Sequence, residues 1–187
     1  MPTTTKPITY EESLTMPENR LEEIVDGESH IMPPATMKHW ILLNQLREAL
    51  EDQLPRKTFR ISSAEAGLGI QRDPVFTYRI PDLAIFSRAS LSANNAEAYV
   101  WTTPVLIVEC LSPANRRGRI EKLLQDYESI GVPELWLINP HQRVLSVYRL
   151  EGGSLKLTDA IKHGSLRPVQ LPGVQIEVDE LWEAFDF

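Results

Sequence analysis

The sequence predicts an α/β domain, and three observations carry that prediction. An apolar run, VLIVECL, is followed by a segment of helical periodicity, IEKLLQDYESI, and then by the apolar core of GVPELWLINP. Strand, crossover helix and strand in that order make a βαβ unit with parallel strands and a right-handed crossover. A chain of 187 residues is long enough to bury one substantial core, and no internal repeat or low-complexity linker marks a second domain. The composition, 42% hydrophobic and 24% charged, is that of a globular chain rather than a disordered one. Residues 1–187 therefore read as a single domain, with residues 1–8 a short tail.

The elements follow in order. Thr9-Tyr10-Glu11-Glu12 is a capping box that starts a short helix ending near MPEN. RLEEIVDGESHIM reads as a strand, a turn at Asp26-Gly27 and a second strand. Pro33-Pro34 interrupts the chain before a long helix near residues 37–54. There Leu42, Leu43, Leu46, Ala49 and Leu50 form an apolar stripe, with Arg47, Glu48, Glu51 and Asp52 turned to solvent. Residues 57–63 and 66–71 are expected as strands of a hairpin or meander. RIPDLAIF is the next strand, its proline near the start rather than the centre. SRASLSANNAEAYVW is a surface connection with helical content, and SPANRRGR is the turn between VLIVECL and the crossover helix. RVLSVYRLEGGSLKL is a hairpin about Gly152-Gly153, residues 164–178 hold turns and short strands, and VDELWEAF is a terminal helix.

Composition also narrows the chemistry. A net charge of -7 argues against a generally basic nucleic-acid coat, although local positive patches are compatible with it. One cysteine excludes an internal disulfide and a cysteine metal cluster, and Cys110, inside an apolar run, reads as a small buried side chain rather than a nucleophile. No apolar run approaches the roughly 20 residues of a membrane span, and MPTTTKPITY lacks the apolar centre of a signal peptide, so a cytoplasmic protein is expected. The four histidines lack the spacing of a zinc site. Ser112 has no nucleophile-elbow glycines around it, and no glycine-rich phosphate loop is present. Trp40, Trp101, Trp136 and Trp182 are dispersed rather than set out as a base-stacking platform, and Trp136 and Trp182 suit the core.

The anomaly in this pattern is Glu109. A central strand presents apolar groups to both helical layers, yet Glu109 interrupts Val105–Val108 and Cys110-Leu111 near the strand's C-terminal end, where ligands of open α/β sheets collect. A buried carboxylate is costly unless it is paired, protonated or bound to a cation. Asp82 begins the apolar run of RIPDLAIF, so an antiparallel neighbour would bring it beside Glu109. Two adjacent carboxylates suit Mg²⁺ or Mn²⁺, and a nearby lysine would stabilise charge developing on a phosphate. That inventory fits phosphodiester hydrolysis, but it is equally the inventory of other metalloenzymes and of ordinary hydrogen-bonded acids.

The short motifs ITYEESLTMPE, LEEIVDGE, MPPATMKHW, RIPD, VECLSP, EKLLQDY, GVPELWLINP and, more weakly, LPGVQIEV add to this reading. In this order and spacing the chain resembles the Uma2 family of restriction-endonuclease-like proteins, within the broad PD-D/E-x-K nuclease superfamily. The resemblance implies a restriction-endonuclease-like mixed β-sheet flanked by helices and a divalent-metal-dependent endonuclease that hydrolyses DNA phosphodiester bonds. Mg²⁺ is the implied cofactor, with Mn²⁺ substituting in vitro. Asp82 and Glu109 would be the metal-binding carboxylates. Glu23 of EEIVDG would take the upstream acidic position, orienting water or assisting the metal. The lysine usual two residues after the second acid is replaced by Leu111, and the family's alternative, on the following helix, corresponds to Lys122. Asn115-Arg116-Arg117-Gly118-Arg119 also lacks the acid common before that lysine.

Helical geometry sets a tension here. Ile120, Leu123, Leu124 and Tyr127 make the buried stripe of the crossover helix, and Lys122 projects roughly opposite to it. His39 matches a recurrent histidine of the family; it could contact Glu23, bind phosphate, or simply pack or cap. Arg116, Arg117 and Arg119 form, with Lys122, a basic cluster that could hold phosphate oxygens or serve as a solvated face. Arg79 could add positive potential near Asp82 or pair with it. Three function classes remain: a metal-dependent nuclease acting on DNA, a catalytically inactive nuclease-fold domain that binds nucleic acid or a protein, and a structural oligomer with the 143–150 strand or the aromatic C-terminal segment at its interface. A homodimer is expected because duplex cleavage often needs two active sites.

Overall fold

The computed structural model describes residues 6–16, 22–32, 34–64, 66–92, 98–112 and 117–186. The first half contains α1 (Tyr10–Ser13), β1 (Glu22–Val25), β2 (Glu28–Ile31), α2 (Met37–Gln53), β3 (Phe59–Ser62), β4 (Leu68–Gln71), β5 (Thr77–Arg79), β6 (Leu83–Ser87) and α3 (Arg88–Ser92). The second contains β7 (Leu106–Cys110), α4 (Arg117–Ser129), β8 (Glu134–Asn139), β9 (Val144–Glu151), β10 (Ser154–Ile161), β11 (Ser165–Leu166), β12 (Ile176–Glu177) and α5 (Val178–Phe185).

The main sheet has six strands in the order β10-β9-β8-β7-β6-β3. β7 and β8 pair in parallel, joined through α4, while the other neighbouring pairs are antiparallel. A second sheet has the order β2-β1-β5-β4, and β11 pairs with β12. Alternation along β7 sorts its side chains between two cores. Leu106, Val108 and Cys110 pack with Leu42, Leu46 and Leu50 of α2 and Leu181 and Trp182 of α5. Ile107 packs on the opposite side with Leu123 and Tyr127 of α4. The result is a mixed sheet between helical layers, and the period of two puts Glu109 on the α4 side.

Local chemistry explains the boundaries. Thr9 accepts from the Glu12 amide and the Glu12 carboxylate accepts from the Thr9 amide, closing the capping box of α1. Asp26 and Gly27 both have positive φ, 51° and 77°, as the tight turn between β1 and β2 requires. A Cβ on Gly27 would come within 2.5 Å of Pro7 Cβ, and the Ile8 amide donates to the Gly27 carbonyl at 2.9 Å. Pro7 and Ile8 thus lie against this turn, and residues 1–5 of the expected tail lie outside the described residues. Thr36 caps α2 by accepting from the His39 amide at 3.2 Å.

Two expectations need correction. Residues 57–71 do not form a hairpin or meander: β3 pairs with β6 in the main sheet, whereas β4 pairs with β5 in the second. Their apolar side chains belong to different cores, Phe59 and Ile61 against one and Leu68 in the other. RIPDLAIF is not one strand either, because the chain leaves β5 at Arg79 and enters β6 only at Leu83. Pro81 lacks the amide that would continue a ladder. This break between the sheets is what sets Asp82 at the head of β6. Among the described residues no helix is long and apolar enough to cross a membrane.

Candidate active site

Antiparallel pairing of β6 and β7 sets Leu83 opposite Val108, so one step further along the ladder Asp82 faces Glu109. The Cys110 amide donates to Asp82 Oδ2 at 2.7 Å, tying the aspartate to the end of β7. His39 Nε2, from the first turn of α2, lies 3.4 Å from Asp82 Oδ1. The Tyr127 hydroxyl of α4 donates to Glu109 Oε1. Burial, then the charges of Asp82 and Glu23, raise the Glu109 pKa well above the usual carboxylate range, against the Tyr127 hydrogen bond and the more distant Arg79. Tyr127 is itself held protonated, first by burial and then by Glu109, so it remains a hydrogen-bond donor.

Glu23 reaches the same region from the second sheet. Its Oε1 accepts from the Ile80 amide at 3.1 Å, and its Oε2 accepts from Arg79 Nη1 at 3.0 Å. Arg79 is buried and also donates from Nε and Nη2 to Asp126 Oδ2, at 2.9 and 2.6 Å. Burial alone would lower the Arg79 pKa; Glu23 and Asp126 outweigh it and hold the guanidinium charged. Arg79 is thus occupied by two carboxylates other than Asp82, and it fixes Glu23 in place.

A cleft of about 860 Å³ opens here between α2, α4 and the end of α5. Glu23, Asp82 and Glu109 line it together with Arg79, Arg119, His39 and Lys38, and the three acids face three cations in a chain of net charge -7. Arg119, half exposed, lies 3.9 Å from Glu23 Oε2. Arg119, Leu123 and Tyr127 follow one another at four-residue spacing, so a single face of α4 looks onto the acids. Lys122 lies on the neighbouring stripe. Its Nζ is 2.8 Å from Asp26 Oδ1 and 3.1 Å from Asp126 Oδ1, outside the cleft lining. Arg117 turns outward to Glu121 at 2.9 Å with its side chain exposed, and Arg116 lies outside the described residues. Burial, then Asp82 and Glu109, push the Cys110 thiol far up, which disfavours the thiolate that a nucleophile needs.

A model of the Uma2 family, described as "Putative restriction endonuclease", matches residues 9–179. The chain belongs to the Uma2 family. The fold of this Uma2 chain is similar to the crystal structure of a protein described as a putative nuclease belonging to DUF820, from Anabaena variabilis ATCC 29413. The TM-score is 0.79 and the identity 18%, over 96% of this chain and 99% of that one. At that identity the likeness speaks for the fold alone. No curated protein matches the chain.

Restriction-endonuclease-like nucleases generally use divalent metals, so the donor set of this Uma2 chain can be tested for fit. Among the described residues no group of three or more His, Cys, Asp or Glu forms a ready-made metal cluster. The pair does offer hard oxygen donors. Tyr127 takes one Glu109 oxygen and the Cys110 amide one Asp82 oxygen, and Glu109 Oε2 carries no hydrogen bond among the described residues. A raised carboxylate pKa beside two further acids is relieved by a cation. A site that completes its shell with water and substrate oxygens fits this set, as Mg²⁺ sites generally do.

Sequence reasoning missed Tyr127 as the partner of Glu109 and Asp126 as the partner of Arg79 and Lys122. Tyr127 lies on the apolar stripe and looks structural there. Asp126 is conspicuous only as a buried acid one residue before it.

Proposed function

We propose that this chain is a divalent-metal-dependent nuclease that hydrolyses phosphodiester bonds. The observation that carries the reading is the juxtaposition of Asp82 and Glu109 across β6 and β7 at the floor of the cleft. A divalent cation held there would supply Lewis acidity and an activated water. The chain's own groups do the rest. The Cys110 amide and Tyr127 fix one oxygen on each carboxylate and so orient the others toward the cleft. Glu23, held by the Ile80 amide and Arg79, is positioned to orient a water. Arg119 takes the charge-stabilising role expected of Lys122: its fork of donors matches phosphate oxygens, and its stripe on α4 faces the acids. His39 braces Asp82 and can meet a phosphate. The finer form of the proposal is a cytoplasmic enzyme acting on DNA with Mg²⁺, Mn²⁺ substituting in vitro, and working as a homodimer.

One observation favours a second reading, a catalytically silent domain that binds nucleic acid or a protein partner: the lysine expected at the site is held by Asp26 and Asp126. Cleavage of linear and supercoiled DNA in Mg²⁺, Mn²⁺ or EDTA separates the two. The nuclease reading predicts metal-dependent cutting that falls at least about 100-fold in Asp82→Asn, by analogy with loss of one electrostatic stabiliser. Arg119→Ala is expected to fall by about the same factor, with Lys122→Ala within a few-fold of wild type. Cutting that survives in Asp82→Asn, or that depends on Lys122 and not on Arg119, sinks the assignment.

A further inference from the structure

Much of the cleft wall does nothing for a phosphodiester. Ionic and hydrated, a phosphate gains from Arg119, Lys38 and His39 but not from the Met32, Met37, Ile120 and Leu123 side chains that share the lining. An intact duplex offers a protein its sugar–phosphate rails and groove edges, and its base faces are hidden in the stack. Base faces become available to apolar side chains only when nucleotides are unpaired.

Two features of the rim extend the apolar wall. Phe185, at the end of α5, lines the cleft with the His141 ring set at 88° to it, centroids 5.6 Å apart, and Lys38 Nζ 5.2 Å from its centroid. Trp40 is 57% exposed. It lies three residues after Met37 and four after Thr36, both lining the cleft, which sets its indole on the adjoining surface of α2. A large exposed indole beside an acid-floored cleft is a surface suited to stacking, with cations near enough to take the flanking phosphates. The volume, about 860 Å³, is in the range that encloses a ligand of nucleotide size.

The geometry points to an unpaired nucleotide as the group this cleft admits: a single-stranded, bulged or frayed stretch of nucleic acid whose base lies on the apolar wall while its phosphate meets Arg119 and the acids. This rests on the nuclease reading above and narrows its substrate.

The test is fluorescence anisotropy with the full chain in Ca²⁺ buffer, which allows binding without relying on turnover. The probes are fluorescein-labelled oligo-dT of about 12 nucleotides and a blunt, fully paired duplex of the same length, within the site sizes known for single-strand binders. Single strand is expected to bind at least about tenfold more tightly, and Trp40→Ala to lose roughly five- to tenfold of that affinity with the duplex unchanged. Circular dichroism melts check that the variant is folded. Equal affinity for the two probes, or a Trp40→Ala variant that binds oligo-dT as wild type does, overturns the inference.

A parallel Mn²⁺ digestion keeps the two readings apart. Metal-dependent cutting of DNA without single-strand preference leaves a nuclease and removes the unpaired substrate. Selective oligo-dT binding without any cutting keeps the unpaired-nucleotide site and removes the nuclease.

Discussion

Glu109 is placed where its own charge is disfavoured, by burial and by the neighbouring Asp82 and Glu23. The sign of the consequence is fixed. A carboxyl whose pKa is higher folded than unfolded stabilises the fold fully only below its unfolded value, near 4.5, and that stability is lost as pH rises toward the folded pKa. Without metal, the folded chain therefore carries a cost at neutral pH that Glu109→Gln removes, since the amide oxygen can still accept from Tyr127. Glu109→Gln is expected to melt higher than wild type in EDTA, by about 2–4 °C for each kcal/mol gained, with a gap that widens from about pH 5 to pH 8. A melt in which the variant is equal or lower across that range would contradict the electrostatic reading. At this scale the sequence was partly legible. An acid inside an apolar strand and an acid at the head of another were visible anomalies. The hydroxyl that orients Glu109 was hidden, because a tyrosine on an apolar stripe reads as packing. Helical phase, by contrast, was legible: Lys122 was expected to project away from the stripe of Leu123 and Tyr127, and it meets Asp26 and Asp126 outside the cleft lining.

Elements bring these residues together. Parallel β7 and β8 with α4 between them were readable from the alternation of apolar and helical periods, and α2 from its leucine stripe. The split of RIPDLAIF between two sheets was not, since nothing local distinguishes a proline at a strand start from one at a sheet-to-sheet crossing. For the same reason β3 and β4 looked like partners, although their apolar faces serve different cores. The N-terminal turn of α2 carries His39 to Asp82 and is anchored by the Thr36 cap. Thr36→Ala is expected to cost about 1 kcal/mol, the usual value of such a cap, and to lower Tm accordingly. It is also expected to reduce cleavage more than this small loss of stability explains, because the turn holding His39 loosens. Thr36→Ser should restore both. A Thr36→Ala variant with reduced Tm and wild-type activity would separate the cap from the site.

Across the whole molecule, the sheet and its helices form a frame that gathers acids from both sheets at one cleft: Glu23 from β1, Asp82 from the crossing into β6, and Glu109 from β7. Arg79 holds Glu23 to Asp126 and so ties the second sheet to α4. In the proposed reading these gathered acids hold a cation, and occupation of that site would link stability to metal. The most direct test is a calorimetric titration of Mn²⁺ into wild-type protein and into Asp82→Asn, with melting temperatures measured alongside. The expected result is saturable binding by wild type, a rise in stability approaching about 2.7 kcal/mol at a hundredfold excess over Kd, and loss of both in Asp82→Asn. Wild-type protein that takes up no Mn²⁺, or an Asp82→Asn variant that binds it equally well, would contradict a metal centre at Asp82 and Glu109.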